Sequence, residues 1–363
     1  MTDPSRRAVL GLGAGSAALA TLAAAVQPAA AAPVATTAAS AHRTRLVLLG
    51  TSGGPPPMTG RAGISSAVVV DGRAYLVDLG HGTFEQLHRS GIPAASVRGM
   101  FVTHLHSDHL AEAWTIPWLR FGGLRAMRGP VDVFGPGPAG ALPASRKGPV
   151  ELVHPENPTP GTEEFFEHAL AGAAYDLNIR MLDEGWPDIR QLLRVHDIVL
   201  PDVGASAPDN LFPDMEPFLV FEDERVRVTA TLVEHAPVFP AFGFRFDTAD
   251  GSVVFSGDTT VSENLIRLAR GADVLVHEVI NVDVLEGLVP PSIIAHLLEG
   301  HTDVDKVGAV AEAAGVSTLV LNHLVPGDPA AVNDGEWRRR AQRGFSGKVV
   351  VGRDLMVVGV GGA

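Results

Sequence analysis

Residues that could bind metal ions are concentrated in the stretch FVTHLHSDHLAEAW, residues 101–114. It places three imidazoles and a carboxylate within six positions, at His104, His106, Asp108 and His109. Imidazole nitrogens and carboxylate oxygens are the usual ligands of zinc and similar ions, and they are costly to bury together unless something binds them. The stretch follows an apolar run that is typical of a buried strand. The spacing therefore predicts a metal site at the end of a strand.

Further residues of the same types stand at the ends of other predicted strands. His235 ends VRVTATLVEH, Asp258 ends SVVFSGD, and His323 ends STLVLNH. The carboxyl ends of strands in an open α/β sheet face one shared crevice, so we expect these side chains to meet the first cluster. In an extended segment His104 and His106 point the same way and can hold one ion. Seven nitrogen and oxygen ligands would supply two metal sites without sulfur, in a chain that has no cysteine.

The segments between these motifs read as strands and helices in two halves. RLVLLG and SSAVVVDGRAYLVDLG are strand-like, with a hairpin turn at Asp71-Gly72. DVDKVGAVAEAAGVSTLVLNH reads as a helix followed by a strand. This order predicts an α/β fold, a four-layer αββα sandwich, in one domain over residues 42–363. Residues 138–215 are richer in proline and charge and include a long helical period, so we expect a helical cap insertion there.

The first 41 residues are interpreted as an export signal and linker. Arg6 and Arg7 precede a weakly apolar Ala/Gly/Leu stretch and then small residues suited to cleavage, a pattern that resembles twin-arginine signals. The prediction is a protein exported to the periplasm or secreted, with no stable membrane anchor after cleavage. Without cysteine, such a protein has no disulfides and depends on its core and its metal ions for stability.

Charge sets the expectation about partners. The formal net charge is -13, and the one short basic run, at residues 338–340, reads as a solvated helix face. Because phosphate neutralisation needs clustered Lys and Arg, we expect no strong nucleic-acid binding and a small anionic ester as substrate. A homodimer is left open.

The motifs together resemble the metallo-β-lactamase superfamily. HLHSDH matches its HxHxDH signature, and LVDLGHGT, EH, FSGDT and LNHL follow in family order, over residues 45–130 and 220–360. The resemblance implies two divalent metal ions, zinc first, with manganese or iron as alternatives. It also implies that Asp78 orients a ligand from behind. The implied ligands are His104, His106 and His235 for one ion, Asp108, His109 and His323 for the other, and Asp258 bridging both.

Two later segments narrow the resemblance. DVLVHEV and GHTDVDKVGAVAEAAGVSTLVLNHLVP resemble segments of the tRNA 3′-end-processing endonucleases, which implies a catalytic pair of Glu278 and His301 in addition to Asp108. In that group the histidine, held by the glutamate, helps to protonate the leaving group. Group III arylsulfatases share this template, and GTSGGPPPMTGRAGISSAVVV and LNHLVPGD look closer to them. Val279 and the pair Thr302-Asp303 depart from the nuclease pattern.

The resulting expectation is an exported, arylsulfatase-like hydrolase of anionic esters that uses a metal-bridging hydroxide. Its substrate would be a sulfuric ester or a phosphoric diester. The alternatives are a phosphodiesterase for cyclic nucleotides or small phosphodiesters, and a lactonase, which would not need Glu278 and His301. A metal-binding protein without catalysis is disfavoured, because a decayed site would be expected to lose some of its seven ligands.

Overall fold

The protein is described by a computed structural model that covers residues 43–123, 126–146 and 148–361. In this part of the chain the strands form two seven-stranded sheets. The first sheet contains β1 (Thr44–Gly50), β2 (Ser65–Val70), β3 (Arg73–Val77), β4 (Val97–Phe101), β5 (Val131–Pro136), β6 (Leu193–Ile198) and β14 (Met356–Gly359). The second contains β7 (Phe218–Glu222), β8 (Val226–Leu232), β9 (Phe242–Thr248), β10 (Ser252–Phe255), β11 (Val274–Ile280), β12 (Thr318–Val325) and β13 (Lys348–Val351).

Each sheet is antiparallel in one half and parallel in the other. The strand order is β14-β1-β2-β3-β4-β5-β6 in the first sheet and β13-β12-β11-β10-β9-β8-β7 in the second. Strands β3 to β6 run parallel to one another, and so do β10 to β13. Parallel neighbours need crossover connections, which place helices on the outer faces of both sheets.

The helices of the described residues are α1 (Thr83–Arg89), α2 (Ser107–Leu110), α3 (Thr115–Arg120), α4 (Thr162–Asp183), α5 (Glu263–Ala269), α6 (Val282–Leu285), α7 (Pro291–Gly300), α8 (Val304–Ala314) and α9 (Asp334–Ala341). Two short 3₁₀ turns occupy Ala94–Ser96 and Ile189–Gln191. Helices α1 to α4 bury side chains such as Leu87 and Phe166 against the first sheet. Helices α5, α8 and α9 bury Leu265, Val307 and Trp337 against the second. The predicted four-layer αββα sandwich is confirmed.

A third apolar core fills the space between the two sheets. At its centre the Phe101 ring meets the rings of Phe244 and Phe246 edge to face, with centroids 5.7 Å and 5.1 Å away. All three side chains are fully buried. Because β4 also leads into the His104 segment, this contact fixes one metal-binding loop relative to the opposite sheet.

Replacing Phe101 with alanine should lower the free energy of unfolding by about 3–5 kcal/mol. The lost ring leaves a cavity between the two sheets, and the sheets cannot move together to fill it. Urea denaturation of the full chain measures the change. Val357→Ala, at a residue 53% exposed on β14, is the control and should cost less than about 1 kcal/mol. A loss for Phe101→Ala no larger than that of the control would contradict this account of the core.

The segment 138–215, expected to be a helical cap insertion, is not only helical. It contains the long helix α4, but also β6, which pairs in parallel with β5 at the edge of the first sheet. Helix α4 packs Phe166 and Leu177 into the outer core of that sheet, as a crossover helix does. The sequence of this strand, LRVHDI, mixes apolar with charged residues because one of its faces is solvated. It therefore lacks the apolar run by which buried strands are recognised.

The predicted export signal at residues 1–41 lies outside the described residues and stays a prediction. None of the helices described by the structure combines the length and apolar character needed to cross a membrane.

Candidate metal centre

The loops and strand ends at one edge of the two sheets bring the predicted ligands together. The segment after β4 carries His104 and His106 and runs directly into α2, which begins at Ser107. Strands β8, β10 and β12 point their carboxyl ends to the same edge. The side chains that converge there are those of His104, His106, Asp108, His109, His235, Asp258 and His323.

Three histidines form the first group of possible ligands. The ligand atoms of His104, His106 and His235 all lie within 4.8 Å of one another, and His235 Nε2 is 3.4 Å from His106 Nδ1. His104 and His235 are buried, whereas His106 is exposed at the mouth of the centre. This is the set expected for one ion.

The second group combines Asp108, His109 and His323, whose ligand atoms also lie within 4.8 Å of one another. Asp108 Oδ2 is 3.4 Å from His323 Nε2 and 3.6 Å from His109 Nε2. Asp258 stands between the two groups. Its Oδ2 is 3.3 Å from the Nε2 atoms of both His109 and His323, and 3.9 Å from His104 Nε2. A carboxylate in this position can bridge two ions.

The donor set fits divalent metal ions. His104 Nε2, His109 Nε2 and Asp258 Oδ1 are buried and have no hydrogen-bond partner among the described residues. Buried polar atoms are normally paired, so three unpaired atoms in one place indicate something else that binds there. Two divalent ions, one at each group, would give these three atoms their missing partners.

The protonation states of most of these groups also suit metal binding, which requires neutral imidazoles and ionised carboxylates. Burial lowers the pKa of His104 well below its ordinary value and that of His235 to about 3, so both rings are neutral. Burial alone would raise the pKa of Asp258, but the neighbouring His323 and His109 hold it well below the ordinary value. His109 differs: although burial lowers its pKa, Asp258 and a second carboxylate raise it well above the ordinary value.

That second carboxylate, Asp78, supports the centre from behind. Its Oδ2 is 2.9 Å from His109 Nδ1, and its Oδ1 accepts a hydrogen bond of 2.8 Å from the Thr103 backbone N–H. Thr103 Oγ1 also lies 3.1 Å from His104 Nδ1. Asp78 adopts a positive φ of 55°, an uncommon conformation that such surroundings must hold in place. Asp78 thus turns Nε2 of His109 toward the centre.

Asp78→Asn should weaken metal binding about 10–100-fold, the usual effect of removing a carboxylate behind a metal-binding histidine. Competition with a chromophoric chelator measures the affinity. The matched control is Asp71→Asn, because Asp71 also has a positive φ, 47°, but lies in the hairpin turn at the other end of β2 and β3. If both variants bind metal as tightly as the unmodified protein, Asp78 has no role in the centre.

The predicted catalytic pair lies beside the metal ligands. Glu278 is on β11, and His301 occupies the short connection between α7 and α8. His301 Nδ1 is 3.5 Å from Glu278 Oε1 and 3.9 Å from Asp258 Oδ2. Although burial lowers the pKa of His301, the carboxylate of Glu278 raises it to about 9, so the ring carries a proton at neutral pH. The arrangement can deliver a proton to a group held at the metal centre.

Two glycines that the sequence analysis gave no role also shape the centre. The Gly54 backbone N–H donates a hydrogen bond of 3.1 Å to Asp108 Oδ2. A Cβ on Gly53 would lie 2.5 Å from His323 Nδ1, so only glycine fits there. The Gly-Gly-Pro run after β1 was the available signal, since adjacent glycines allow backbone to approach a site closely.

Fold and centre together define a metal-dependent hydrolase. Comparison with known proteins places it more narrowly: the profile of the Metallo-beta-lactamase superfamily matches residues 59–301. The chain belongs to this superfamily.

Named relatives support this placement. A protein named Ribonuclease Z from Mycobacterium bovis (strain BCG / Pasteur 1173P2) is 32% identical over 316 residues, covering 85% of this chain and 96% of that protein. The crystal structure of the short form of human tRNase Z shares the fold, with a TM-score of 0.56 and 20% identity over 87% of this chain and 99% of that one. The crystal structure of the metallo-beta-lactamase fold protein YhfI from Bacillus subtilis matches with a TM-score of 0.56 and 17% identity, over 87% of this chain and 99% of that one.

These relatives correct two expectations. The assignment to arylsulfatase-like ester hydrolases is wrong, because the curated relatives that match along 85% of the chain are named Ribonuclease Z. Val279 and Thr302-Asp303 depart from the nuclease pattern but do not separate the chain from these relatives. The expectation of a small anionic ester and no nucleic-acid binding is wrong for the same reason. Net charge averages over the whole surface: among the described residues, one groove is lined by Arg73, Arg120 and Arg128 and by a single carboxylate, Glu85.

Proposed function

We propose that this chain is a zinc-dependent hydrolase that cleaves phosphodiester bonds in RNA, as the name of its Ribonuclease Z relatives suggests. The observation that carries the proposal is the Glu278–His301 pair, 3.5 Å apart beside the shared ligand Asp258. A ribose oxygen leaves phosphorus as a poor, alkoxide-type leaving group, and its departure is helped by a positioned general acid. His301 provides such an acid.

The residues of this chain divide the reaction between them. The seven ligands would hold two divalent ions, which when bound polarise the phosphate oxygens and lower the pKa of a water molecule. The protonated His301 ring, which lies beside Asp258 and next to Glu278 through Nδ1, gives a proton to the leaving oxygen. Glu278 keeps the His301 ring protonated and oriented. Asp108 lies within 3.6 Å of His109 and can orient the attacking water in addition to binding an ion.

Zinc is proposed because the donors are mainly imidazoles, which suit zinc, with carboxylates that do not exclude manganese or iron. The test of metal identity is independent of the substrate. Protein stripped with a chelator should regain activity on adding zinc, and the activity should follow the amount of bound metal. If manganese restored the activity and zinc did not, manganese would be the proposed metal and the proposed reaction would stay the same.

The deciding experiment offers metal-loaded protein a tRNA precursor with an extended 3′ end, labelled at its 5′ end. Cleavage into a shorter labelled RNA is the expected result, and a DNA strand of the same sequence is the control for specificity. A bis-nitrophenyl phosphodiester reports whether the centre hydrolyses phosphodiesters at all. If holo-protein cleaves neither the RNA nor the nitrophenyl ester, the proposed function is overturned.

A further inference from the structure

An arginine in the outer helical layer is almost fully buried. Arg340, on α9, is 4% exposed. Its Nε and Nη2 each donate a hydrogen bond of 2.9 Å to the two oxygens of Asp305, which forms a two-pronged pair. Its Nη1 donates a third bond, of 2.7 Å, to Asn281 Oδ1. Such burial of a guanidinium needs a complete set of acceptors, so the site is built around this side chain.

Two more carboxylates complete these surroundings. Asp283 Oδ2 is 2.9 Å from Arg340 Nη1, and Asp303 Oδ1 is 3.7 Å from Nη2. The contacts of Arg340 therefore fall on two short segments. The first, residues 281–283, follows the end of β11, and the second, residues 303–305, opens α8.

These two segments directly follow the catalytic pair. Asn281 comes three residues after Glu278, and Asp303 comes two residues after His301. Between the pair and Arg340 two hydrogen bonds join the segments: the Thr302 N–H donates to the Glu278 side chain at Oε1, at 2.7 Å, and the Ile280 N–H donates to the Thr302 carbonyl at 3.0 Å. Arg340 thus connects the two segments of the chain that follow Glu278 and His301.

We propose that Arg340 is a positioning residue that sets the separation and orientation of Glu278 and His301. It touches neither substrate nor metal, and it acts only by holding residues 281–283 and 303–305 in register. The inference rests on the proposed function, in which His301 is the general acid. It gives α9, which contributes none of the candidate ligands and neither member of the catalytic pair, a defined effect on proton delivery.

The expected size of the effect follows from geometry. Misplacing a catalytic group by about 1 Å can cost about 10²-fold in rate. Lysine at position 340 keeps one positive charge for the buried carboxylates, but a single ammonium cannot reproduce the planar fork that reaches Asp305 and Asn281 at once. Arg340→Lys therefore keeps the charge balance but loses the connection between segments 281–283 and 303–305.

The experiment compares Arg340→Lys with Arg343→Lys in the metal-loaded full chain. Arg343 lies on the same side of Asp305, 2.8 Å from its Oδ1, but is 52% exposed. Arg340→Lys should lower kcat on the RNA substrate about 10–100-fold with KM and metal content little changed. The bis-nitrophenyl phosphodiester should be cleaved at nearly the normal rate, because nitrophenolate leaves without a proton. Arg343→Lys should leave both activities unchanged.

A second variant keeps the test decisive if Arg340→Lys does not fold. Asn281→Ala removes the hydrogen bond from Arg340 Nη1 to the residue that follows β11, and it leaves the ion pairs of Arg340 with Asp283 and Asp305. It should give a smaller loss that is again selective for RNA. The inference is overturned if the folded variants slow both substrates equally or slow neither. Wild-type protein that cleaves neither substrate overturns the proposed function, and this inference with it, so the two failures are distinguishable.

Discussion

Asp258→Asn should reduce hydrolysis by at least about 10³-fold and lower the amount of tightly bound metal. Asp258 Oδ2 lies within 3.9 Å of ligand nitrogens from both metal-binding groups, so it is shared by them. The amide keeps the shape of the side chain but has no charge and one oxygen instead of two. Charge stabilisation by paired metal ions is worth several kcal/mol, and each 1.36 kcal/mol corresponds to a factor of ten in rate.

Metal content after gel filtration and turnover of the bis-nitrophenyl phosphodiester measure the two effects. The matched control is Asp247→Asn. Asp247 is half-buried, forms an ion pair with Arg245, and lies on β9, the neighbour of β10. Asp247 is opposite Ser252, at the start of β10, whereas Asp258 follows its end, so the control changes the same sheet away from the centre. A variant Asp258→Asn that retains full metal content and full turnover would remove Asp258 from the centre.

The candidate metal ligands could be named from the sequence because their spacing is compact and their strands are apolar. Four of them occupy residues 104–109, and each of the other three ends or closes an unmistakable strand. The structure gathers all seven at one edge of the two sheets. The αββα layering followed from the same strands, since parallel strands with intervening helical patterns leave few other arrangements.

Other features depend on contacts that have no local signal. Strand β6 belongs to the first sheet because β5 supplies the pairing partner, and its own sequence is too polar to show this. The hydrogen bond from Gly54 to Asp108 joins residues 54 positions apart. The burial of Arg340 depends on acids from two other helical segments, so a run of three arginines read reasonably as a solvated face.

The substrate class was misjudged for a different physical reason. Whole-chain charge is a poor guide to nucleic-acid binding, because phosphate contacts depend on local groups and on metal ions that the sequence charge does not count. The pair Glu278 and His301 had already indicated a leaving group that needs a proton.

His301→Ala should lower kcat on the RNA substrate about 10²–10⁴-fold, the usual contribution of a general acid, while metal content stays unchanged. The ring lies 3.9 Å from Asp258 and has its own partner in Glu278, so its loss leaves the seven ligands in place. The control is His296→Ala, in the preceding helix α7. This side chain is 52% exposed, and its contact with Glu299 is weak, at 4.0 Å. That variant should match the unmodified protein on both substrates.

The bis-nitrophenyl phosphodiester separates the possible roles of His301. Nitrophenolate is a stable anion, so a variant that has lost only proton delivery should still cleave this ester at close to the normal rate. If His301 instead stabilised charge on the phosphate, both substrates would slow by similar factors, because both pass through the same charged phosphorus centre. If it helped to hold a metal ion, metal content would fall as well. A selective loss on RNA with full metal content is therefore the result that identifies His301 as the acid, and an equal loss on both substrates rejects that role.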